Sequence, residues 1–389
     1  MRANPGGMLG PEEVVGRDTL ISELWEILDR QSVVLVAERR IGKTSTIRRM
    51  LAHQADHRLT FYRDVEGCAT VLEFVQGVLS DVERYLGKIE RTITKTRAFL
   101  AEICGQDMAR IGRIPKTAFA SWKAILTKCV EELAENQKHL VVFFWDELPL
   151  MVKNVIAHDG ERTAMELLDL LRYFRQNHAR IRMVYTGSIG LHNVIRSLRE
   201  AGYANDPTND MHVKEVPPLS LSDAERLAAL LIEGESIATS SSDDVANKIA
   251  LEVDCNPYFI QHVAGQMKSK RSHSWTLEDV ETLVADCLVA SQDPWHLRHY
   301  YDRINDYYEE SERPIILAIL DVLASEEGPV SAEYLFNLVK SQVTVSDKQS
   351  VVDLAVLLKD DHYLSQDRDG AFGFRFSLIK RWWRIYRGL

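Results

Sequence analysis

The chain has 389 residues, 46% of them apolar and 27% charged, the balance of a folded globular protein and not of a disordered, collagen-like or disulfide-stapled one. Against 47 Lys and Arg stand 57 Asp and Glu, a formal net charge of −10, so affinity for a polyanion would need a local basic patch. The five cysteines (Cys68, Cys104, Cys129, Cys255, Cys287) are scattered, with no CxxC pair. That spacing argues against a zinc ribbon or a thioredoxin-type site and for buried free thiols in a reducing compartment. The first ten residues lack an apolar signal core, and no apolar run approaches membrane-spanning length, so a cytoplasmic chain without membrane contact is expected.

At the N-terminal end, Leu20, Ile21, Leu24, Ile27 and Leu28 recur at helical spacing. Val33-Val34-Leu35-Val36 follows as a β-branched run suited to a strand covered on both faces. Helical chemistry resumes from Thr44 to His53, and Leu59 to Arg63 reads as a second strand. A long helical stretch, about Val71 to Gln137, carries no chemical motif. Leu140 to Trp145 is apolar throughout and predicts a third strand, with a helix from about Gly160 to His178 after it. Ile181 to Thr186 gives a fourth strand, Leu191 to Glu200 a short helix, and His212 to Val216 an edge strand. Strands alternating with helices predict a parallel α/β sheet over residues 1–217.

Pro217-Pro218 breaks that pattern. Residues 218–290 read as a small helical lid, 291–312 as a linker helix, and 313–389 as three helices followed by two short strands about the turn Asp367-Arg368-Asp369-Gly370. That last order is the order of a winged helix.

Chemistry concentrates first in Ala37-Glu38-Arg39-Arg40-Ile41-Gly42-Lys43-Thr44-Ser45, which starts at a strand end and runs into a helix. This is the context of a phosphate-binding loop: glycine lets backbone approach an anion, and helix N-terminal amides bind it. Lys43 would reach the β- and γ-phosphates, and the Thr44 hydroxyl would bind Mg²⁺. The second concentration is Phe143-Phe144-Trp145-Asp146-Glu147, an apolar strand ending in two acids. Buried acids at a parallel strand's carboxyl end are costly unless a cation or water uses them. Asp146 fits a Mg²⁺ holder and Glu147 the base that activates water; the alternative is that both cap the next helix. Thr186 and Ser188, after the fourth strand, either sense the γ-phosphate or cap the helix that follows.

With these motifs, Val15-Gly16-Arg17-Asp18, Tyr185-Thr186-Gly187-Ser188 and Cys255-Asn256-Pro257-Tyr258, the chain resembles the archaeal-type ATPases of the AAA+/STAND group of P-loop ATPases. The resemblance implies ATP with Mg²⁺, an α/β P-loop core followed by a helical lid, and a C-terminal winged helix. It implies that Val15, Gly16 and Arg17 lie near the adenine and that Pro257 closes over the nucleotide; alternatively Gly16 is a turn and Pro257 a first helical residue. It also implies an arginine supplied by a neighbouring subunit of a homo-oligomer. Arg196 and Arg199 are the candidates for that role, or else solvated helix surface.

The tail is net acidic, yet Arg375, Lys380, Arg381, Arg384 and Arg387 cluster near its end among Trp382, Trp383 and Tyr386. That cluster either meets the phosphates of duplex DNA or docks on a protein, and Trp382 with Ile385 has core spacing. The expected function is an ATPase switch acting on assembly or on a separate effector protein, the alternative being a DNA-directed ATPase.

Overall fold

The computed structural model describes the chain apart from residues 56, 89–93, 105–113, 115, 188–189 and 271–273. It divides into two compact units. The first unit comprises Asp18–Val36 and Thr46–Val216. Its sheet has five strands, β1 (Val33–Val36), β2 (Arg58–Asp64), β3 (Leu140–Asp146), β4 (Ile181–Thr186) and β5 (His212–Glu215), in the order β2-β3-β4-β1-β5. All neighbours are parallel, with Leu35 beside Thr186, Phe143 beside Met183, and Asp64 beside Asp146. The parallel α/β sheet expected from the alternation is thus present, with His212–Glu215 at its edge.

Parallel strands need helical crossovers, and those cover the sheet. In chain order the helices are α1 (Asp18–Leu28), α2 (Lys43–Ala52), α3 (Val71–Lys88), α4 (Thr94–Cys104), α5 (Trp122–Asn136), α6 (Leu148–Asp159), α7 (Glu161–Asn177) and α8 (Leu191–Glu200). The strands β3 and β4 are buried almost throughout, which is why their sequences show no alternation. Phe61, Phe143, Trp145 and Tyr185 stack side by side across three strands at 5.1, 5.3 and 6.0 Å between ring centroids. Arg182 enters this buried strand because its guanidinium donates to the carbonyls of Leu28 and Asp29 at the end of α1, at 3.0 and 3.3 Å.

Sequence spacing predicted one helix after β3, starting near Gly160. Two are found: Pro149 sits in the first turn of α6, and Gly160 ends it at φ 88°, a conformation that favours glycine.

The second unit comprises Met1–Arg17, Ala37–Ser45 and Pro217–Leu389. Four helices come first, α9 (Leu221–Gly234), α10 (Ser242–Glu252), α11 (Pro257–Ser269) and α12 (Leu277–Val289), each begun by an N-cap (Ser220, Ser241, Asn256, Thr276) whose side chain accepts from a backbone amide. Then follow α13 (His299–Tyr307), α14 (Arg313–Ser325), α15 (Ala332–Gln342) and α16 (Lys348–Asp360). An antiparallel hairpin of β6 (Leu364–Gln366) and β7 (Phe372–Phe374) turns at Gly370, and α17 (Ser377–Arg387) ends the chain.

One continuous apolar core runs from Leu219 to Trp383. Trp382 and Trp383 both belong to it, whereas Ile385 and Tyr386 are exposed. The indole of Trp383 is 0% exposed and donates to Asp321 at 2.8 Å. Trp383→Ala is expected to lower unfolding free energy by about 3–5 kcal/mol, read from denaturant titration.

Candidate functional site

The phosphate-loop residues fold within the second unit. Gly42 adopts φ 100°, and a Cβ built there would meet nothing within 4 Å, so its conformation and not crowding requires glycine. Arg40 also lies at positive φ, 68°. The Lys43 amine donates to the Ala37 carbonyl at 2.9 Å, bending back along the loop, and Thr44 and Ser45 are half-buried in the first turn of α2. Ile41 is fully buried and anchors the loop.

Arg17 braces the loop. Its buried guanidinium donates to the Ile41 carbonyl at 3.0 Å and to the Pro217 carbonyl at 2.8 Å, bracing the loop against the segment that opens α9. Burial lowers it to about 10, with Asp223 opposing that shift, so the brace keeps its charge at neutral pH. Gly16, at φ 69°, lies so close to Asp223 that a Cβ would fall 2.6 Å from that side chain. Val15 is half-buried against the second unit's core.

Arg40 lies with its guanidinium 4.6 Å from the centre of the Tyr258 ring and also bonds the Tyr258 hydroxyl. Pro257 is the first residue of α11, after Asn256, whose side chain caps Tyr258 N at 3.0 Å. The two preceding residues, Asp254 and Cys255, are both left-handed, at φ 51° and 54°, a strained pair for non-glycine backbone. Behind them lie His262, 4.4 Å from the Tyr258 ring centre, and Trp295, whose carbonyl is 3.5 Å from Arg40.

In the first unit the carboxylate of Asp146, only 5% exposed, receives the Tyr62 hydroxyl at 3.2 Å and the Thr186 hydroxyl on its other oxygen. The three side chains come from the adjacent strands β2, β3 and β4. Hydroxyl donors orient a carboxylate without cancelling its charge, which suits a cation ligand. Glu147 follows at φ 61°, ψ 32°, the N-cap position of α6, but its side chain makes no capping bond. A left-handed, half-buried glutamate at a strand end is the kind of strained placement that active sites keep. Thr186 therefore serves Asp146 directly, and Ser188 lies outside the described residues. Tyr62 carried no sequence signal beyond its place on a strand.

Among the described residues no group of three or more His, Cys, Asp or Glu could hold a metal ion. No helix among the described residues is long and apolar enough to cross a membrane. Cys68, Cys129, Cys255 and Cys287 are free thiols.

Arg196 and Arg199 lie on α8, paired at 3.5 Å with Glu200 and at 3.7 Å with Asp206. The basic cluster of the tail is largely engaged within the chain. Arg381 donates to Glu252 at 2.7 Å, Arg387 is bidentate to Asp321, and Lys380 donates to the Glu326 carbonyl. Arg375 meets His362 at 3.2 Å, while Arg384 is exposed.

No family model matches this chain, and no curated protein sequence does. Among solved structures, a Walker-type ATPase of Pyrococcus abyssi is similar at TM-score 0.60 and 15% identity, covering 96% of this chain and 97% of that one. The Aeropyrum pernix ORC2 protein, in its ADPNP–ADP complexes, is similar at TM-score 0.50 and 13% identity, covering 99% and 94%. At such identities the likeness is one of fold: a parallel α/β sheet core with a helical C-terminal region.

Burial, with Arg40 and His296 adding repulsion, holds His262 down to about 4. Burial also holds His299 down to about 3, with Arg303, Arg39 and Arg40 acting in the same direction. Both values lie below the unfolded value of about 6.5, so at intermediate pH the unfolded chain binds protons that the native chain refuses. Stability from these two sites is full above about pH 6.5 and is lost as pH falls toward 4. Melting temperatures between pH 7 and 5 should therefore drop less for His262→Gln/His299→Gln than for the wild type.

Proposed function

We propose that the chain binds and hydrolyses ATP, and that its nucleotide state controls assembly or a separate effector protein. The observations that support this reading are a glycine-hinged loop that directly follows β1 in sequence and, separately, a strand β3 that ends in an oriented, buried aspartate followed by a strained glutamate. Residues 37–45 supply the loop, with Lys43 binding the β- and γ-phosphates, and Thr44 and Asp146 would hold Mg²⁺. When bound, the metal supplies charge neutralisation on the phosphates. Glu147 accepts the proton of the attacking water, and Thr186 and Tyr62 keep the Asp146 carboxylate turned for its task.

Val15, Gly16 and Pro257 belong to the adenine side of this reading, and the 313–389 region to a winged helix. Arg199 is the proposed arginine from a neighbouring copy in a homo-oligomer; without it, turnover is slow. The DNA-directed alternative draws less support, because Arg375, Lys380 and Arg381 already hold partners within the chain and only Arg384 of the proposed four is exposed.

Lys43→Ala should abolish binding of ATP measured by calorimetry, and unchanged affinity would remove Lys43 from the site. Glu147→Gln should bind ATP as the wild type does while turnover falls by about 100-fold or more, the usual worth of a positioned base. Wild-type turnover in that variant would assign the base elsewhere.

A further inference from the structure

The turn that leads into α11 is held from outside its own helices. Asp254 and Cys255 stand in succession at φ 51° and 54°, and neither is a glycine, so this backbone persists only where its surroundings fix it. The Cys255 amide donates to the Ala250 carbonyl at 2.8 Å, and the Cys255 carbonyl accepts the Leu219 amide at 3.1 Å. The Asp254 carboxylate reaches instead to α17, where its Oδ2 accepts the Leu378 amide at 2.7 Å. Leu378 is 1% exposed, and Phe376, at the N-cap of α17, makes no side-chain capping bond. Asp254 thus satisfies a buried donor in the helix's first turn that has no partner within the helix. A second tie lies further along α17, where Arg381 donates to Glu252 at 2.7 Å. Asp254, Asn256 and Phe259 line one crevice together with Leu378 and Ile379.

On the other side of the turn, the Asn256 side chain accepts the Tyr258 amide at 3.0 Å and caps α11. The Tyr258 ring then carries the Arg40 guanidinium 4.6 Å from its centre, and its hydroxyl bonds the same group. Arg40 itself stands at φ 68°, so its place in the loop also needs a partner to fix it. All of these residues belong to one compact unit, and direct contacts lead from Leu378 to Asp254 and, beyond the turn, from Tyr258 to Arg40. Resting on the nucleotide-binding reading above, we propose that Asp254 is a positioning residue for the phosphate loop: held by α17, it fixes the turn that sets Tyr258 against Arg40, so the loop's fitness for phosphate depends on that helix staying docked.

The test is ADP binding by calorimetry in the whole chain, with the melting temperature of each variant recorded beside it. Asp254→Ala should weaken ADP binding by about tenfold, within the usual range of coupling between linked groups. Asp254→Asn keeps an acceptor oxygen for the Leu378 amide and should stay within about threefold of the wild type. Tyr258→Leu should also bind ADP more weakly, and adding Asp254→Ala to it should cost little more, because the two act along one path. A purely structural role predicts a lower melting temperature for Asp254→Ala with its ADP affinity unchanged, and that result overturns the proposal. So does a full further loss in the Tyr258→Leu background, or a loss in Asp254→Asn as large as in Asp254→Ala. Should Asp254→Ala fail to fold, the half-buried Arg381 decides: Arg381→Ala removes the second tie to α17, and ADP should bind several-fold more weakly, whereas unchanged or tighter binding overturns the proposal. Wild-type protein that binds no ADP removes the nucleotide reading and this inference with it, whereas wild-type binding with indifferent variants removes only the inference.

Discussion

A loop that recognises phosphate through its own backbone has little apolar surface with which to fix its shape, so other side chains must hold it. Here those holds are named and few. Arg17 grips the Ile41 carbonyl and Pro217, and Arg40 lies on Tyr258. Ile41 supplies the single deep apolar anchor. Every one of these partners belongs to the unit that also contains helices α9 to α12 and the C-terminal hairpin. The shape of the loop is therefore set by residues far from it in sequence.

The sheet unit solves a different problem, that of satisfying a carboxylate in a nearly dry place. Asp146 ends a strand of seven residues with no alternation, flanked by strands on both sides. Desolvation at such a position is offset by hydroxyls from each neighbouring strand, Tyr62 on one side and Thr186 on the other. The parallel register fixes those donors: Asp64 pairs with Asp146 and Leu35 with Thr186, so the ends of the strands fall level. Beyond Asp146 the chain turns through left-handed Glu147 into α6, which sets this second acid on a stiff turn and not on a free loop.

Much of this was legible in the residues. Val33–Val36 and Leu140–Trp145 read as strands because burial on both faces leaves no polar position, and the GKTS and DE motifs mark strand ends directly. The helix Leu148–Asp159 was missed because it follows the third strand after a single residue, with Pro149 in its first turn, while the boundary at Gly160 was legible. Tyr62 was invisible for a stronger reason: its partner Asp146 is a long stretch of chain away, and the tyrosine sits in no local pattern. The tail misled in the opposite sense. Its arginines look like a free basic surface until the fold supplies Glu252, Asp321 and the Glu326 carbonyl as partners. Local chemistry marks a site's own residues well, while the residues that brace or neutralise them are set by tertiary structure.

The central claim is that this fold turns over ATP, and a single-turnover experiment addresses it with the unaltered protein. Protein in excess over radiolabelled ATP should convert it slowly but completely to ADP when Mg²⁺ is present, and should form no ADP in EDTA. ATP recovered intact in both conditions after many hours would contradict a hydrolytic site built on Asp146 and Glu147.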